Sequence, residues 1–547
     1  MSTSTEHDVV SLPPEGTDAF PGGTASQRRS GGAPRRRGGR PAVVRLRAVG
    51  ERTWTNRPLG LAVAAAVAAG WGLVAGWWTP RSPLTAGQAI WSIVISLGIG
   101  GLGGLVARSR WAALLGPAAF AVVFELVRLG AVGPTVDRPA FTTYGILALV
   151  VGRGFHALVS LAPMAFGALL GAAAGRHLDE RWAPARPSRR WARRTRRAVA
   201  VVAAVGLVAF AGLIARPAST APIRDTAGNS VPGSIAELST IEVNGHDLHV
   251  MIRGHSVDNP VLLFLAGGPG GSEMGAMRRH LPGLEEHFTV VTWDQRGTGK
   301  SYDELDPPGT YTLAGAVDDT IAVTEHLRER FGQERIYLLG QSWGSTLGVL
   351  AAQQRPELYV AFIGAGQMVS QLETDTIFYE DTLAWARAMG NSGLAAELEA
   401  IGPPPYEDML DYETALSSEH DVYPYDHTPN SEGQGGFSEN VFVPEYSLID
   451  KAHLLGAFMD TFSVLYPQLQ QIDFRRTATD FELPVFFVQG AHEADGRADP
   501  FAEWYPMIEA PQKDLVVLET SGHRPLFEQP QEFVDYMVDV VLARTRG

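Results

Sequence analysis

A serine flanked by glycines, a histidine far downstream and a carboxylate between them can together perform acyl transfer, and this chain carries them in that order. Gly340-Gln341-Ser342-Trp343-Gly344 follows an apolar run, Ile336 to Leu339, that reads as a buried strand. It precedes Ser345 to Gln354, which reads as a helix halted by Pro356. Strand, tight turn and helix is the setting in which G-x-S-x-G presents a nucleophile. Gly340 and Gly344 lack a Cβ, so strand and helix can close around a strained turn and lift the Ser342 hydroxyl above the sheet. The helix N-terminus there favours negative charge.

A serine hydroxyl needs a base to take its proton and a third group to orient that base. His523 is the expected base, because Ser521-Gly522-His523 follows the last apolar strand. The acid is expected after the Val485–Gln489 strand, where Gly490-Ala491-His492-Glu493-Ala494-Asp495 offers Glu493 and Asp495, with Asp499 further along. Turn length favours Glu493, and His492 reads as a loop residue. A developing oxyanion also needs prearranged N–H donors. The backbone of Trp343 is one; the other is expected from Gly267-Gly268-Pro269-Gly270-Gly271, with Gly268 as donor. That loop lacks the lysine and spacing of a phosphate-binding loop. The chain has no cysteine, which excludes disulfides, thiolate metal sites and a cysteine nucleophile.

These groups must be held by an α/β domain. Strands are expected at Ser239–Val243, Leu248–Ile252, Val261–Ala266, Thr289–Trp293, Ile336–Leu339, Ala361–Gly364, Val485–Gln489 and Leu515–Leu518, with helices such as Thr312–Phe331 between several of them. Short, near-continuous apolar strands alternating with helices imply a mostly parallel sheet covered on both faces. The strand pattern stops between about 367 and 477, where Glu373–Met389, Leu394–Ile401 and Ile449–Tyr466 read as helices. An insertion there, above the C-terminal ends of the strands, would cap the site.

The first third of the chain is different in kind. Residues 1–215 hold 25 arginines against 9 acidic residues, although the whole chain carries a net charge of −14. Residues 1–57 are rich in Gly, Pro, Ser and Arg without apolar periodicity, as in a disordered basic arm. Five apolar stretches long enough to cross a bilayer follow, near Pro58–Trp78, Leu84–Ala107, Trp111–Val132, within Tyr144–Gly175, and Ala198–Ala215. About ten arginines precede the first, nine lie between the fourth and fifth, and the intervening segments alternate between basic and poor. That distribution implies a cytoplasmic N-terminus and a catalytic domain outside the cytoplasm, with no nucleic-acid role for the arm. Arg153 and His156 interrupt the fourth stretch, so a broken or re-entrant helix is one reading of it. Glu125 and Arg128, three apart, read as a structural pair on one helix face. Residues 216–238 form a linker, and 239–547 the catalytic domain.

The motifs taken together carry a resemblance. Gly-Gly-Pro-Gly-Gly at 267–271, Trp293-Asp294-Gln295-Arg296-Gly297-Thr298-Gly299-Lys300-Ser301, and Gly-Gln-Ser-Trp-Gly at 340–344 look like the proline iminopeptidase family of α/β-hydrolases. The resemblance covers about Ile241 to Val541. It implies an eight-stranded α/β-hydrolase core with a helical cap, no cofactor, and release of N-terminal residues from peptides. Two positions depart from the family: Ala266 replaces a usual His, and Glu493 a usual Asp. An aminopeptidase must hold a free cationic amine, and Glu445 in Val441-Phe442-Val443-Pro444-Glu445-Tyr446 resembles the glutamate that does so in related caps. Glu373, just after the exit from the core, is a second candidate.

The expectation is therefore a membrane-anchored serine hydrolase acting on a peptide or small acyl substrate. It joins an all-α region of about five transmembrane helices to an α/β-hydrolase domain. An esterase or amidase with the same triad is the alternative within this chemistry. A membrane sensor or scaffold that binds without turnover is the alternative outside it.

Overall fold

The computed structural model describes residues 56–137, 139–180, 190–425 and 438–546. The expected basic arm lies almost wholly outside the described residues, as do Arg138 and several arginines between the fourth and fifth apolar stretches. The described residues fall within one compact unit, Arg52–Gly547.

Among the described residues, five helices are long and apolar enough to cross a membrane: Arg57–Trp78 (α1), Ala86–Ala107 (α2), Ala112–Gly130, Thr143–Leu178 and Arg194–Ile214. The third consists of Ala112–Val127 (α3) and a closing 3-10 turn. The fourth is continuous where an interruption was one reading: Thr143–His156 (α4) passes through a π-helical turn, Ala157–Leu161, into Ala162–Glu180 (α5). The chain absorbs His156 by widening for one turn instead of breaking. The last lies within Arg190–Ile214 (α6). Glycines set the closest contact, between α2 and α5. A Cβ on Gly104 would stand 2.0 Å from the Ala168 carbonyl oxygen, and one on Gly171 would stand 1.9 Å from that of Gly101. Small residues four apart on both helices let the two backbones touch. As the spacing implied, Arg128 donates to Glu125 at 2.7 Å, and Arg153 adds a contact to Glu125 at 3.3 Å.

The C-terminal region holds one eight-stranded sheet: Ile235–Val243 (β1), His246–Gly254 (β2), Val261–Leu265 (β3), Thr289–Asp294 (β4), Ile336–Gln341 (β5), Tyr359–Ala365 (β6), Val485–Gly490 (β7) and Lys513–Leu518 (β8). Its order is β1-β2-β4-β3-β5-β6-β7-β8. The β1–β2 and β2–β4 pairs are antiparallel, and every other pair is parallel. β3, β4, β5 and β7 are buried along their whole length, which is why they read as apolar runs without alternation. Between β6 and β7 the cap is helical: Gln371–Ala388, Ser392–Ile401, Met409–Leu416, and a long helix Leu448–Leu469. Met409–Leu416 is a cap helix beyond those expected from the sequence. Asp408 starts it by accepting from the Leu410 N–H.

The segments that follow three of the apolar helices contact the C-terminal region. Arg81, after α1, pairs with Asp306 at 3.0 Å and with Asp460 in the long cap helix. Thr135, after the third helix, donates its N–H to Asp460 at 3.0 Å. Ser219, after the fifth, donates to the Pro444 carbonyl at 2.9 Å. The segments that follow the first, third and fifth helices thus each contact the C-terminal region.

Candidate active site

Ser342 sits between β5 and the helix Trp343–Gln354, at φ +54° and ψ −122°. A non-glycine residue held at positive φ is strained, and such strain persists where the surrounding structure enforces it. Here the enforcement is steric. A Cβ on Gly344 would lie 2.0 Å from the Leu265 carbonyl, and one on Gly340 would lie 2.2 Å from that of Gly344. The Ser342 N–H is fixed on the Ala365 carbonyl at 3.1 Å, at the end of β6.

The turn points the Ser342 hydroxyl at His523, with Oγ 2.9 Å from Nε2. The other ring nitrogen, Nδ1, is 2.7 Å from Oε2 of Glu493. A carboxylate at Nδ1 fixes the proton there and leaves Nε2 free to accept from the serine. The Gly490–Glu493 turn brings Glu493, not Asp495, to the imidazole; Asp495 begins the next helix, Asp495–Trp504. Glu493 is buried, which alone would raise its pKa, but Arg497 and His523 overcome that and hold it at about 2. Arg497 donates from Nε to Oε1 of Glu493 at 2.7 Å and also pairs with Glu419 in the cap. Its guanidinium lies over the Phe378 ring, 4.9 Å from the centroid. Arg497 was not singled out in the sequence, although its position four residues after Glu493 on a helix start was a readable signal.

Gly268 lies on the same cavity at φ +124°, and a Cβ there would stand 2.6 Å from the N–H nitrogens of Gly270 and Gly271. Trp343 is the first residue of its helix, so its N–H has no intrahelical acceptor. The Asp-Gln-Arg-Gly run buttresses these donors. Gln295 accepts from the Trp343 indole at 2.9 Å and donates to the Ala266 carbonyl at 3.2 Å, so one side chain ties elbow to glycine loop. Asp294 is fully buried; burial pushes its carboxyl up to about 7, opposed by the Lys300 N–H and the Tyr446 hydroxyl.

The triad and glycine loop open on a cavity of about 530 Å3. Its apolar wall includes Met368, Phe378, Leu454, Phe458 and Phe462, and its carboxylates are Glu273, Asp375, Glu413 and Glu419. Asp375 accepts from Tyr466 at 2.5 Å and from Gln470 at 2.9 Å, and burial lifts its carboxyl to about 6.

Neither expected amine anchor lies on that wall. Glu445 is buried, as its apolar surroundings implied, but it accepts from Thr220 at 2.8 Å and lies 3.7 Å from Arg278. The linker claims its carboxylate: Thr220 in turn accepts from Arg253 at 2.6 Å. Glu373 faces outward and pairs with Arg475. Both assignments are corrected by these partners.

Comparison with known proteins agrees with this architecture. Residues 260–530 match the family model described as the alpha/beta hydrolase fold. A probable aminopeptidase of Bacillus subtilis (strain 168) is 29% identical over 305 residues, covering 55% of this chain and 95% of that protein. A probable proline iminopeptidase of Leptolyngbya boryana is 26% identical over 295 residues, covering 51% of this chain and 85% of that protein. The crystal structure of a proline iminopeptidase from Mycobacterium smegmatis aligns with a TM-score of 0.40 and 22% identity, over 56% of this chain and 98% of that one. The C-terminal region of this chain is thus an α/β-hydrolase fold with proline iminopeptidases among its relatives, preceded by a region of five long apolar helices.

Proposed function

We propose that the protein is a membrane-anchored serine hydrolase, an aminopeptidase of proline iminopeptidase type. The observation that carries this reading is the unbroken line from Ser342 Oγ through His523 to Glu493, at 2.9 and 2.7 Å. The relatives named as aminopeptidases support the substrate class. Ser342 Oγ attacks the scissile carbonyl carbon while His523 Nε2 takes its proton, and Glu493 stabilises the imidazolium. The oxyanion is held by the N–H groups of Gly268 and Trp343, each donor being worth roughly a hundredfold or more in turnover. The tetrahedral intermediate collapses by breaking the C–N bond, and His523 returns its proton to the departing amine. Water, deprotonated by the same imidazole, then cleaves the acyl-serine ester. Glu273 and Asp375 supply negative charge for a substrate ammonium, a task reassigned from Glu445 and Glu373.

Residues 58–215 form the transmembrane domain, 216–238 a linker and 239–547 the catalytic domain, with the arginine distribution placing that domain outside the cytoplasm. The arm over 1–57 lies on the cytoplasmic side. No cofactor takes part in this reading.

Fluorophosphonate labelling of Ser342, abolished in Ser342→Ala, with turnover of a free-amine aminoacyl amide but not its N-acetyl form, is the expected result. Turnover of acyl esters alone, without preference for a free amine, would favour the esterase reading. Absence of labelling in the wild type would remove the serine mechanism.

A further inference from the structure

The apolar helical region does more in this structure than hold the hydrolase in place. Tyr144, in the first turn of α4, lines the same cavity as Ser342 and His523. Its backbone N–H is seated on the carboxylate of Glu413, 3.1 and 3.2 Å from the two oxygens, and Glu413 belongs to the cap helix Met409–Leu416 that supplies Met409, Leu410 and Leu416 to the same wall. The cavity is therefore closed partly by the helix that descends into the apolar bundle.

That helix is longer than a bilayer core, and the seat of Tyr144 on the cap puts the excess at its N-terminal end. Thr143–Leu178 is 36 residues long, or about 54 Å at 1.5 Å per residue, against a hydrocarbon core of about 30 Å. Arg153 marks where the helix passes the polar loops, donating to the carbonyls of Thr135 at 3.0 Å and Asp137 at 3.1 Å. The turns on either side of it run along the long cap helix. A Cβ on Gly456 would meet Val151 at 3.4 Å, and the Phe155 and His453 rings stand 5.2 Å apart.

A helix segment standing beyond the hydrocarbon should present polar residues outward. This one presents Ile146 and Val150, one turn apart and exposed by 49% and 59%, and Phe141 just before it is 96% exposed. An exposed apolar strip that starts at a bilayer and ends at an active cavity is suited to an apolar chain in transit.

We propose that the cavity takes an amphiphile, an acyl or aminoacyl compound whose long alkyl chain passes from the bilayer along the outer face of α4 and enters over Tyr144. This rests on the serine-hydrolase reading and names its substrate class. The reaction is the hydrolysis already written, with the alkyl chain carried on the amine, the alcohol or the acyl group. Tyr144 is a specificity residue on that route. It acts by covering the chain, so its effect appears as chain-length preference.

The test uses the full-length protein in phospholipid nanodiscs. Two probe series are compared, alanine amides of butylamine and dodecylamine, and p-nitrophenyl butanoate and dodecanoate. In the series the enzyme turns over, kcat/KM for the twelve-carbon probe is expected to exceed that for the four-carbon probe at least tenfold. Tyr144→Ala and, independently, Val150→Ser are each expected to lower that ratio about tenfold, mainly through KM, while Tyr144→Phe keeps it. A ratio is unaffected by the fraction of folded enzyme, so poor folding of one variant does not blur the result. Partition of the long probe into lipid is the same for every variant. A wild-type ratio near one, or a ratio unchanged in both Tyr144→Ala and Val150→Ser, overturns the proposal. Loss of fluorophosphonate labelling in the wild type would instead overturn the serine-hydrolase reading. Turnover of esters alone would revise the aminopeptidase reading and leave the chain-length comparison standing.

Discussion

Between α2 and α5, what brings two elements together is the absence of side chains: Gly100, Gly104, Gly167 and Gly171 each face a backbone carbonyl that a Cβ would strike. Around the sheet the means are reversed, and Trp293, Phe264, Phe362 and Phe486, among the largest fully buried side chains, fill the space between layers. The helical region turns Leu102, Leu114, Val122 and Leu126 outward, while the catalytic region leaves few large apolar side chains exposed. In water, removing apolar surface drives assembly, so large side chains go inside. Among lipid tails that drive vanishes, and close contact between backbones decides which helices pair. On the membrane-anchored reading proposed above, the same residue types therefore carry opposite structural meaning in the two regions.

The severest way to break this division is at the junction, where a charge from the bundle's loops enters the cap. Asp460 is buried and accepts from Arg81, Thr135 and Tyr302. Asp460→Ala leaves the Arg81 guanidinium buried with only Asp306 as a carboxylate partner. The expected loss is about 3–5 kcal/mol, read as a fall in thermal stability of both regions together. Independent melting of two regions would show that they are merely tethered. Next is Gly171→Leu, which sets a side chain against the Gly101 carbonyl; the expected cost is about 3 kcal/mol, at the upper end for overpacking. Gly206→Leu on α6, where a Cβ would meet nothing within 4 Å, is expected to be silent and serves as its control.

A smaller effect sharpens the comparison from the catalytic side, where charges are paired with side chains instead of excluded. Arg497→Met is expected to lower kcat roughly tenfold to a hundredfold, which is about 1.4–2.7 kcal/mol of barrier. The pH dependence gives the sign. With its folded pKa near 2, against an ordinary 4.5, the Glu493 carboxylate contributes stability that is present above about 4.5 and lost as pH falls toward 2. Without Arg497 burial weighs more heavily, the carboxyl rises, and the acid limb of the kcat profile moves to higher pH. An unmoved limb would make Arg497 a bystander. Least of all, Glu445→Gln is expected to change turnover of amine and ester substrates by less than about twofold, since its carboxylate is held by Thr220 and lies off the cavity.

Much of this was legible before the structure. All eight strands lie where buried apolar runs were read, and the elbow, His523 and Glu493 follow from the order of motifs along a parallel sheet. Local chemistry is written locally: Gly340 and Gly344 flank Ser342 because the turn between them admits no Cβ. What could not be read are partnerships set by tertiary distance. Glu445 looked like an anchor because its neighbours are apolar. Burial says nothing of direction, and its carboxylate turns to Thr220 and not to the cavity. Tyr144 read as the start of an apolar stretch, and the helix Thr143–Leu178 is long and apolar enough to cross a membrane; nothing in a hydropathy pattern tells that the first turn of that helix lines the cavity beside Ser342.

The Asp460 junction also bears on the order in which the molecule is made. A chain emerging N-terminus first delivers the apolar helices and their loops long before the cap helix Leu448–Leu469 exists. When that helix arrives, Arg81 and Thr135 are already in place to receive its carboxylate. A hydrolase synthesised without the first 215 residues would bury Asp460 with Tyr302 as a donor but without Arg81 and Thr135, and so without its cationic partner.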